Sequence, residues 1–317
     1  MRRCLLLLTG LLLLVACARG GETATPVAQP TATSLLTATP APAKGAVHRC
    51  SGCGQWFPAE ADKLAETIDL FLDDVPPPTG KGEPLVLIVP HAGYVYSGAV
   101  AAHAFRQVQG RHYDIVVIIG DTHSGAGSGP VHVYPDGSWE TPLGTVAVDA
   151  AVGETLVQAD ERISFDEKAF AREHPIENQL PFLQRVLSGD FTIVPVVFRE
   201  PSLENAQTVA EALVQALSDR QALVVCSTDL SHYPSYDDAR EVDEKTLAAI
   251  VTGDPQAFLR ATEEGMRQKV PNLVTCACSE GAVLTGMLVA RAWNAQDIQV
   301  LKYANSGDTI FGERDKV

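Results

Sequence analysis

Five short runs of mostly branched apolar residues punctuate the chain, at 85–89, 115–119, 192–198, 222–226 and 298–303. They are apolar nearly throughout rather than alternating, which is the pattern of strands buried on both faces. Between and around them lie stretches with apolar residues at helical spacing: 61–72, 99–108, 150–158, 176–187, 203–216, 238–251, 255–264 and 281–293. This alternation predicts an α/β fold, with a mostly parallel or mixed central sheet and helices on both faces. No repeat of fixed period and no internal linker interrupts the region from 48 to 317, so it reads as a single domain. Sheets of this kind bind ligands beyond the carboxyl ends of their strands. The chemistry is therefore to be sought just after each run.

The residues before 48 read as an address. Arg2 and Arg3 precede an apolar stretch ending Leu14-Val15-Ala16-Cys17. That stretch is too short to span a bilayer comfortably and has the form of a secretory signal. Small residues before a cysteine resemble the lipobox of bacterial lipoproteins, which implies cleavage after residue 16 and lipidation of Cys17. Residues 17–47, rich in Thr, Ala and Pro, have no apolar periodicity and read as a tether. The expected location is extracytoplasmic, anchored to the cell membrane by lipid alone. With 39 acidic against 24 basic residues and a net charge of −15, the chain repels nucleic acid and anionic lipid. Seven cysteines in 317 residues are too few for a disulfide-built scaffold, so the fold rests on an apolar core.

Polar residues gather after three of the runs. His91 follows the first, within Pro90-His91-Ala92-Gly93-Tyr94, and His123 follows the second, in a glycine-rich loop. Asp229 and His232 follow the fourth, and Cys276 and Cys278 precede the last helical stretch. Neutral imidazoles and a thiolate at a helix start suit iron, copper, zinc or nickel. A ligand from Cys276 completes a set of two histidines and one cysteine with open coordination positions. Asp229 and His232 suit a base and its orienter, or a structural hydrogen bond. The glycine-rich loop lacks the lysine and spacing of a phosphate-binding P-loop.

The ordered blocks PHAGYVYSGAVAAHAF (90–105), IIGDTHSG (118–125), TPLG (141–144), EHPIENQLPFL (173–183), STDLSHY (227–233) and KYANSGD (302–308), with GQWFPA at 54–59, resemble the Memo family, also called AmmeMemoRadiSam system protein B. The resemblance covers the whole region from 48 onward. It implies a fold similar to class III extradiol dioxygenases and one iron or copper ion, with zinc less favoured. It implies His91, His123 and Cys276 as ligands, with Cys276 preferred to Cys278 because Thr275-Cys276 before a small apolar helix start matches the family's spacing. His232 and Asp229 correspond to residues beside the metal. A small-molecule or peptide ligand in that pocket is the implied partner, and the system name links the chain to radical SAM and AMMECR1-like proteins. Three functions fit: metal-dependent redox chemistry on a small substrate, non-catalytic binding of metal or peptide, and an extradiol-like dioxygenase. True extradiol enzymes use two histidines and a carboxylate. A thiolate in that place is softer and more easily oxidised, and Glu280, one turn past Cys276, is the available carboxylate. The family usually continues beyond 317 into a further strand, so a shortened sheet edge is expected.

The remaining candidates carry simpler readings. Cys50 and Cys53 form a lone C-x-x-C outside the matched blocks and read as a local disulfide or redox pair, with metal binding as the alternative. A bridge between Cys276 and Cys278 is geometrically unfavourable. Cys226 reads as a buried thiol. Glu173, His174 and Glu177 fit helix capping as well as function. Tyr94 reads as a pocket phenol or as packing, His103 as a core histidine, and His112 and His132 as surface residues.

Overall fold

A computed structural model describes residues 14–18 (backbone only), 45–78 and 82–317 of the chain. The strands are β1 (Leu14–Ala18), β2 (Val47–His48), β3 (Glu83–Val89), β4 (Ile115–Asp121), β5 (Val131–Val133), β6 (Ser138–Thr141), β7 (Gly144–Val148), β8 (Ile163–Phe165), β9 (Thr192–Phe198) and β10 (Ala222–Ser227). The helices are α1 (Ala61–Asp73), α2 (Tyr94–Val108), α3 (Ala150–Ala159), α4 (His174–Glu177), α5 (Leu180–Val186), α6 (Leu203–Ala216), α7 (Tyr236–Val251), α8 (Pro255–Arg267) and α9 (Glu280–Ala292). The strands form one sheet in the order β1-β3-β10-β4-β9-β7-β6-β2, with β5 and β8 branching from β9. Its centre, β3-β10-β4-β9, is wholly parallel; β1 on β3, β5 on β9 and the β6–β7 hairpin are antiparallel.

Alternate residues of the central strands feed two cores. Leu87, Val89, Val116, Ile118, Leu223 and Val225 join one core, packed under α1, α2 and α5 with Leu64, Phe105 and Phe182. Val86, Ile88, Val117, Ile119, Val224 and Cys226 join the other, under α3, α6 and α9 with Leu156, Leu213 and Val283. Side chains on a strand alternate between faces, so a strand covered on both sides must be apolar at every position. Helix starts follow local chemistry. The side chains of Asp149, Ser202, Ser235 and Asp254 each accept an early backbone N–H of α3, α6, α7 and α8, and Pro255 opens α8.

Several expectations change. The 298–303 run is not a strand. It runs without a ladder, and Tyr303 instead donates to Asp243 (2.6 Å) and packs with Val100 and Leu247. The 176–187 stretch breaks into α4 and α5, because Pro181 lacks the N–H that a continuous helix needs. His132 is fully buried rather than on the surface, since β5 is covered on both faces. His103 is half-buried and His112 exposed. The signal residues 1–13 and tether residues 19–44 lie outside the described residues; Cys17 falls in β1, beside β3. Among the described residues no helix is long and apolar enough to cross a membrane.

Candidate metal centre

The strand order builds the site. β10 lies between β3 and β4, so the carboxyl ends of these three strands are immediate neighbours. β3 delivers His91, β4 delivers His123 and β10 delivers Asp229 and His232. The start of α9 is fastened across the same ends. Cys278 N–H donates to the Asp229 carbonyl (3.1 Å) and Ser279 N–H to Thr228 Oγ1 (3.1 Å). The Asp121 carboxylate accepts from Gly281 N–H (3.1 Å) and Ala282 N–H (3.2 Å), capping α9. These bonds carry Cys278 onto the histidines: its Sγ lies 3.2 Å from His91 Nε2.

The donor atoms of His91, His123 and Cys278 all lie within 4.8 Å of one another. Cys276, expected as the sulfur ligand, is not in this group. Its Sγ points to the Thr262 carbonyl (3.6 Å) and packs against Gly265 of α8, and the thiol is buried. The chain bends at Cys276 and turns at Cys278, so the two side chains leave it in different directions. Glu280 also turns away, bonding to Thr262. Cys278 is the residue just before the Ser279 N-cap, and its place nearer the helix start is the local signal that could have singled it out over Cys276.

Hydrogen bonding sets the state of each imidazole. His123 Nδ1 faces the Asp121 carbonyl (3.1 Å) and His232 Nδ1 the Leu230 carbonyl (3.0 Å). A carbonyl only accepts, so both Nδ1 atoms carry a proton, and in the neutral form of each ring the free lone pair is on Nε2. His91 Nδ1 faces Ser227 Oγ (3.0 Å). That hydroxyl gives its one proton to the Pro175 carbonyl (2.6 Å) and accepts from Gln179 Nε2 (2.8 Å), so it also accepts from His91 Nδ1–H. Burial lowers the His91 pKa to about 4, with Asp229 opposing. The ring is therefore neutral at pH 7. The Cys278 thiol is pushed well up by burial and by the nearby Asp229 carboxylate.

Two carboxylates, Asp229 and Glu173, hold the frame. Asp229 Oδ1 accepts the N–H groups of His91 (2.7 Å) and Ala92 (3.2 Å), fixing the loop after β3. Glu173, fully buried, accepts from Thr122 Oγ1, His123 N–H (2.9 Å), Ser124 N–H (2.9 Å) and Ser124 Oγ (2.7 Å). Burial alone raises its pKa; these donors and the His123 side chain outweigh it and hold the carboxyl at about 2. Glu173 thus shapes the His123 loop rather than merely capping α4.

Sequence reasoning missed the roof of the site. His174 brings its ring centroid within 4.6 Å of His123 and 5.1 Å of His91. Its pKa falls to about 3 through burial and the two neighbouring histidines. Trp56 stacks on its other face at 4.1 Å. The segment bearing Trp56 is closed by a Cys50–Cys53 disulfide, the pairing expected, and tied down by Glu177, which accepts from Ser51 N–H (3.0 Å) and Gly52 N–H (2.6 Å). No spacing rule brings residue 56 to residue 174, although the GQWFPA block contains the one and the EHPIENQLPFL block the other. Tyr94 is buried and donates to the Asn178 carbonyl (2.9 Å), which makes it a packing residue.

The donor set fits an ion of borderline or soft character. It offers two bare imidazole nitrogens and one thiol that must lose its proton, with His91 buried and His123 facing solvent. A family model described as Memo-like protein matches residues 49–317. A MEMO1 family protein of Sulfurisphaera tokodaii is 36% identical over 277 residues, covering 83% of this chain and 94% of that one. Another, from Methanopyrus kandleri, is 36% identical over 274 residues, covering 83% and 93%. Among solved structures, an uncharacterized Escherichia coli K12 protein aligns with a TM-score of 0.38 at 17% identity, over 59% of this chain and 78% of that one. The family model and the relatives agree over the region that builds the site, and the chain belongs to the Memo family.

Proposed function

We propose that this protein holds one iron or copper ion between His91 Nε2, His123 Nε2 and Cys278 Sγ, and uses it in redox chemistry on a small substrate. The observation that carries the reading is the convergence of those three donors within 4.8 Å, each prepared by its neighbours to face the others. Metal bonds of about 2.0–2.3 Å place two donors on one ion no further apart than roughly 4.5 Å, so modest closure completes the site. An ion there supplies Lewis acidity and one-electron redox chemistry. The protein supplies the rest. Ser227 and the Asp121 carbonyl aim the two imidazoles, and Asp229 N–H donates to Cys278 Sγ (3.2 Å), which favours the thiolate. Trp56 and His174 shield one side. His232, partly exposed with a bare Nε2, is placed to take a proton from a bound substrate.

In this reading the domain stands outside the cytoplasm on a tether lipidated at Cys17. The Cys50–Cys53 disulfide supports that reading, since such bonds persist in oxidising compartments. The test is metal content after anaerobic purification and reconstitution. Wild type and Cys276→Ser should retain iron or copper, whereas Cys278→Ser and His91→Ala should lose it. Retention by Cys278→Ser with loss from Cys276→Ser would overturn the site. Oxygen uptake by the loaded protein, screened over catechols and thiols, tests the redox part.

A further inference from the structure

We propose that the Cys50–Cys53 bridge is a separate redox site, which takes two electrons from dithiols by thiol–disulfide exchange, and that Cys53 is the sulfur a partner attacks. The reaction uses none of the metal donors and goes beyond the reading above.

A structural disulfide joins segments that would otherwise separate. This one spans only Ser51 and Gly52, and Glu177 already fastens both. The buried carboxylate accepts from Ser51 N–H (3.0 Å), Ser51 Oγ (2.8 Å) and Gly52 N–H (2.6 Å). The Gly52 carbonyl in turn accepts from Gln55 N–H (3.0 Å) and Trp56 N–H (2.9 Å), and Gly54 N–H donates to the Phe57 carbonyl (2.8 Å). The loop therefore keeps its shape with the bridge open, and the two sulfurs stay within reach of each other. Closing so short a ring also removes less entropy from the unfolded chain than a long-range bridge does. Both cysteines are partly exposed, among exposed Arg49, Ser51 and Gly54, so a partner thiol can approach.

Glu177 also distinguishes the two sulfurs. Its Oε2 lies 3.9 Å from Cys50 Sγ. Burial alone raises its pKa; His48, whose Nε2 lies 3.4 Å from Oε1, and the Ser51 and Gly52 groups outweigh burial and hold the carboxyl ionised at pH 7. An incoming thiolate is repelled at Cys50, which leaves Cys53 as the point of attack. Attack forms a bond to Cys53 Sγ and breaks the bond to Cys50 Sγ, which leaves with the electron pair and takes a proton from solvent. The new S–H faces Glu177 Oε2, an acceptor that the closed bridge cannot use. The donor's second thiolate then attacks its own sulfur in the mixed disulfide and releases Cys53, which takes the second proton. The donor loses two electrons and becomes a disulfide, and the bridge becomes two thiols.

Dithiothreitol is the probe, added to the oxidised full chain under native conditions, with thiols trapped by iodoacetamide and located by peptide mass spectrometry. The expected result is complete opening at Cys50 and Cys53 without denaturant, unchanged far-ultraviolet circular dichroism, and closure again on addition of oxidised glutathione. A bridge that opens only in denaturant, or whose opening unfolds the domain, would overturn the redox role. Single variants test the asymmetry. Because Glu177 disfavours a thiolate at Cys50, Cys50→Ser should form a mixed disulfide with oxidised glutathione at Cys53 about tenfold faster than Cys53→Ser does at Cys50. Equal rates, or a faster Cys50, would overturn the assignment of Cys53. Adding Glu177→Gln to Cys53→Ser should recover most of the difference, since glutamine keeps the shape and removes the charge; no recovery would overturn the role given to the carboxylate. Metal content enters none of these readouts, so the metal reading stands or falls separately.

Discussion

Replacing Glu173 by glutamine tests how the His123 loop is held. The native carboxyl has no solvent exposure and accepts from Thr122, His123 and Ser124. Its folded pKa is about 2, well below the ordinary glutamate value of 4.5. A difference of about 2.5 units corresponds to about 3 kcal/mol of folding free energy. Because the folded value is depressed, that stability is fully present above pH 4.5 and is lost as pH falls from 4.5 toward 2. Glutamine keeps one accepting oxygen but turns an NH₂ toward donors that need an acceptor. Urea unfolding of the metal-free protein should therefore show Glu173→Gln less stable by about 3 kcal/mol at pH 7. The gap should shrink as pH falls from about 4.5 to 3, because wild type loses what the variant never had. Other titrating groups cancel in the difference. Parallel stability curves for the two proteins from pH 7 to 3 would refute the argument that these hydrogen bonds, rather than burial, govern the carboxyl.

Metal affinity should follow pH through Cys278. With the thiol held above its ordinary range and His91 neutral above about pH 4, binding near pH 8 displaces one proton. The log of the association constant should therefore rise by about one per pH unit, as competition with a chelator would record, and a flat profile would contradict it. The slope should steepen at lower pH, where Glu173 and the Asp121 carbonyl raise the His123 pKa against its burial. Trp56→Ala should speed metal loss to a chelator severalfold by opening the stack on His174; unchanged release would show that the indole is no shield. Loss of the Cys50–Cys53 bridge should cost about 2 kcal/mol by loop-closure entropy, measurable as a shift in the urea midpoint of Cys50→Ala/Cys53→Ala. Phe182→Ala, which removes a fully buried ring stacked 4.8 Å from Phe105, should cost about 3–5 kcal/mol, and a loss below about 1 kcal/mol would deny that core its role.

Alternation of apolar runs with amphipathic stretches specified the α/β layers, because a strand covered on both faces and a helix covered on one leave different periodicities in the chain. Thus Thr192–Phe198 and Leu203–Ala216 form the elements their residues predict. The short strands from Val131 to Phe165 were not legible, since three to five residues are too few to show a period. His91, His123, Asp229 and His232 were legible as strand-end residues, because position after a strand is a local property. Which cysteine faces them was not. Cys276 and Cys278 differ only in how a bend and a helix cap aim two side chains, and the cap depends on Asp121, more than 150 residues away in the chain. Trp56 over His174, and the tautomers set by Ser227, Asp121 and Leu230, likewise arise from contacts between distant segments. The chain by itself determined which groups stand at the carboxyl edge of the sheet; only the packing of β10 between β3 and β4, with α9 pinned across their ends, decided which atoms meet.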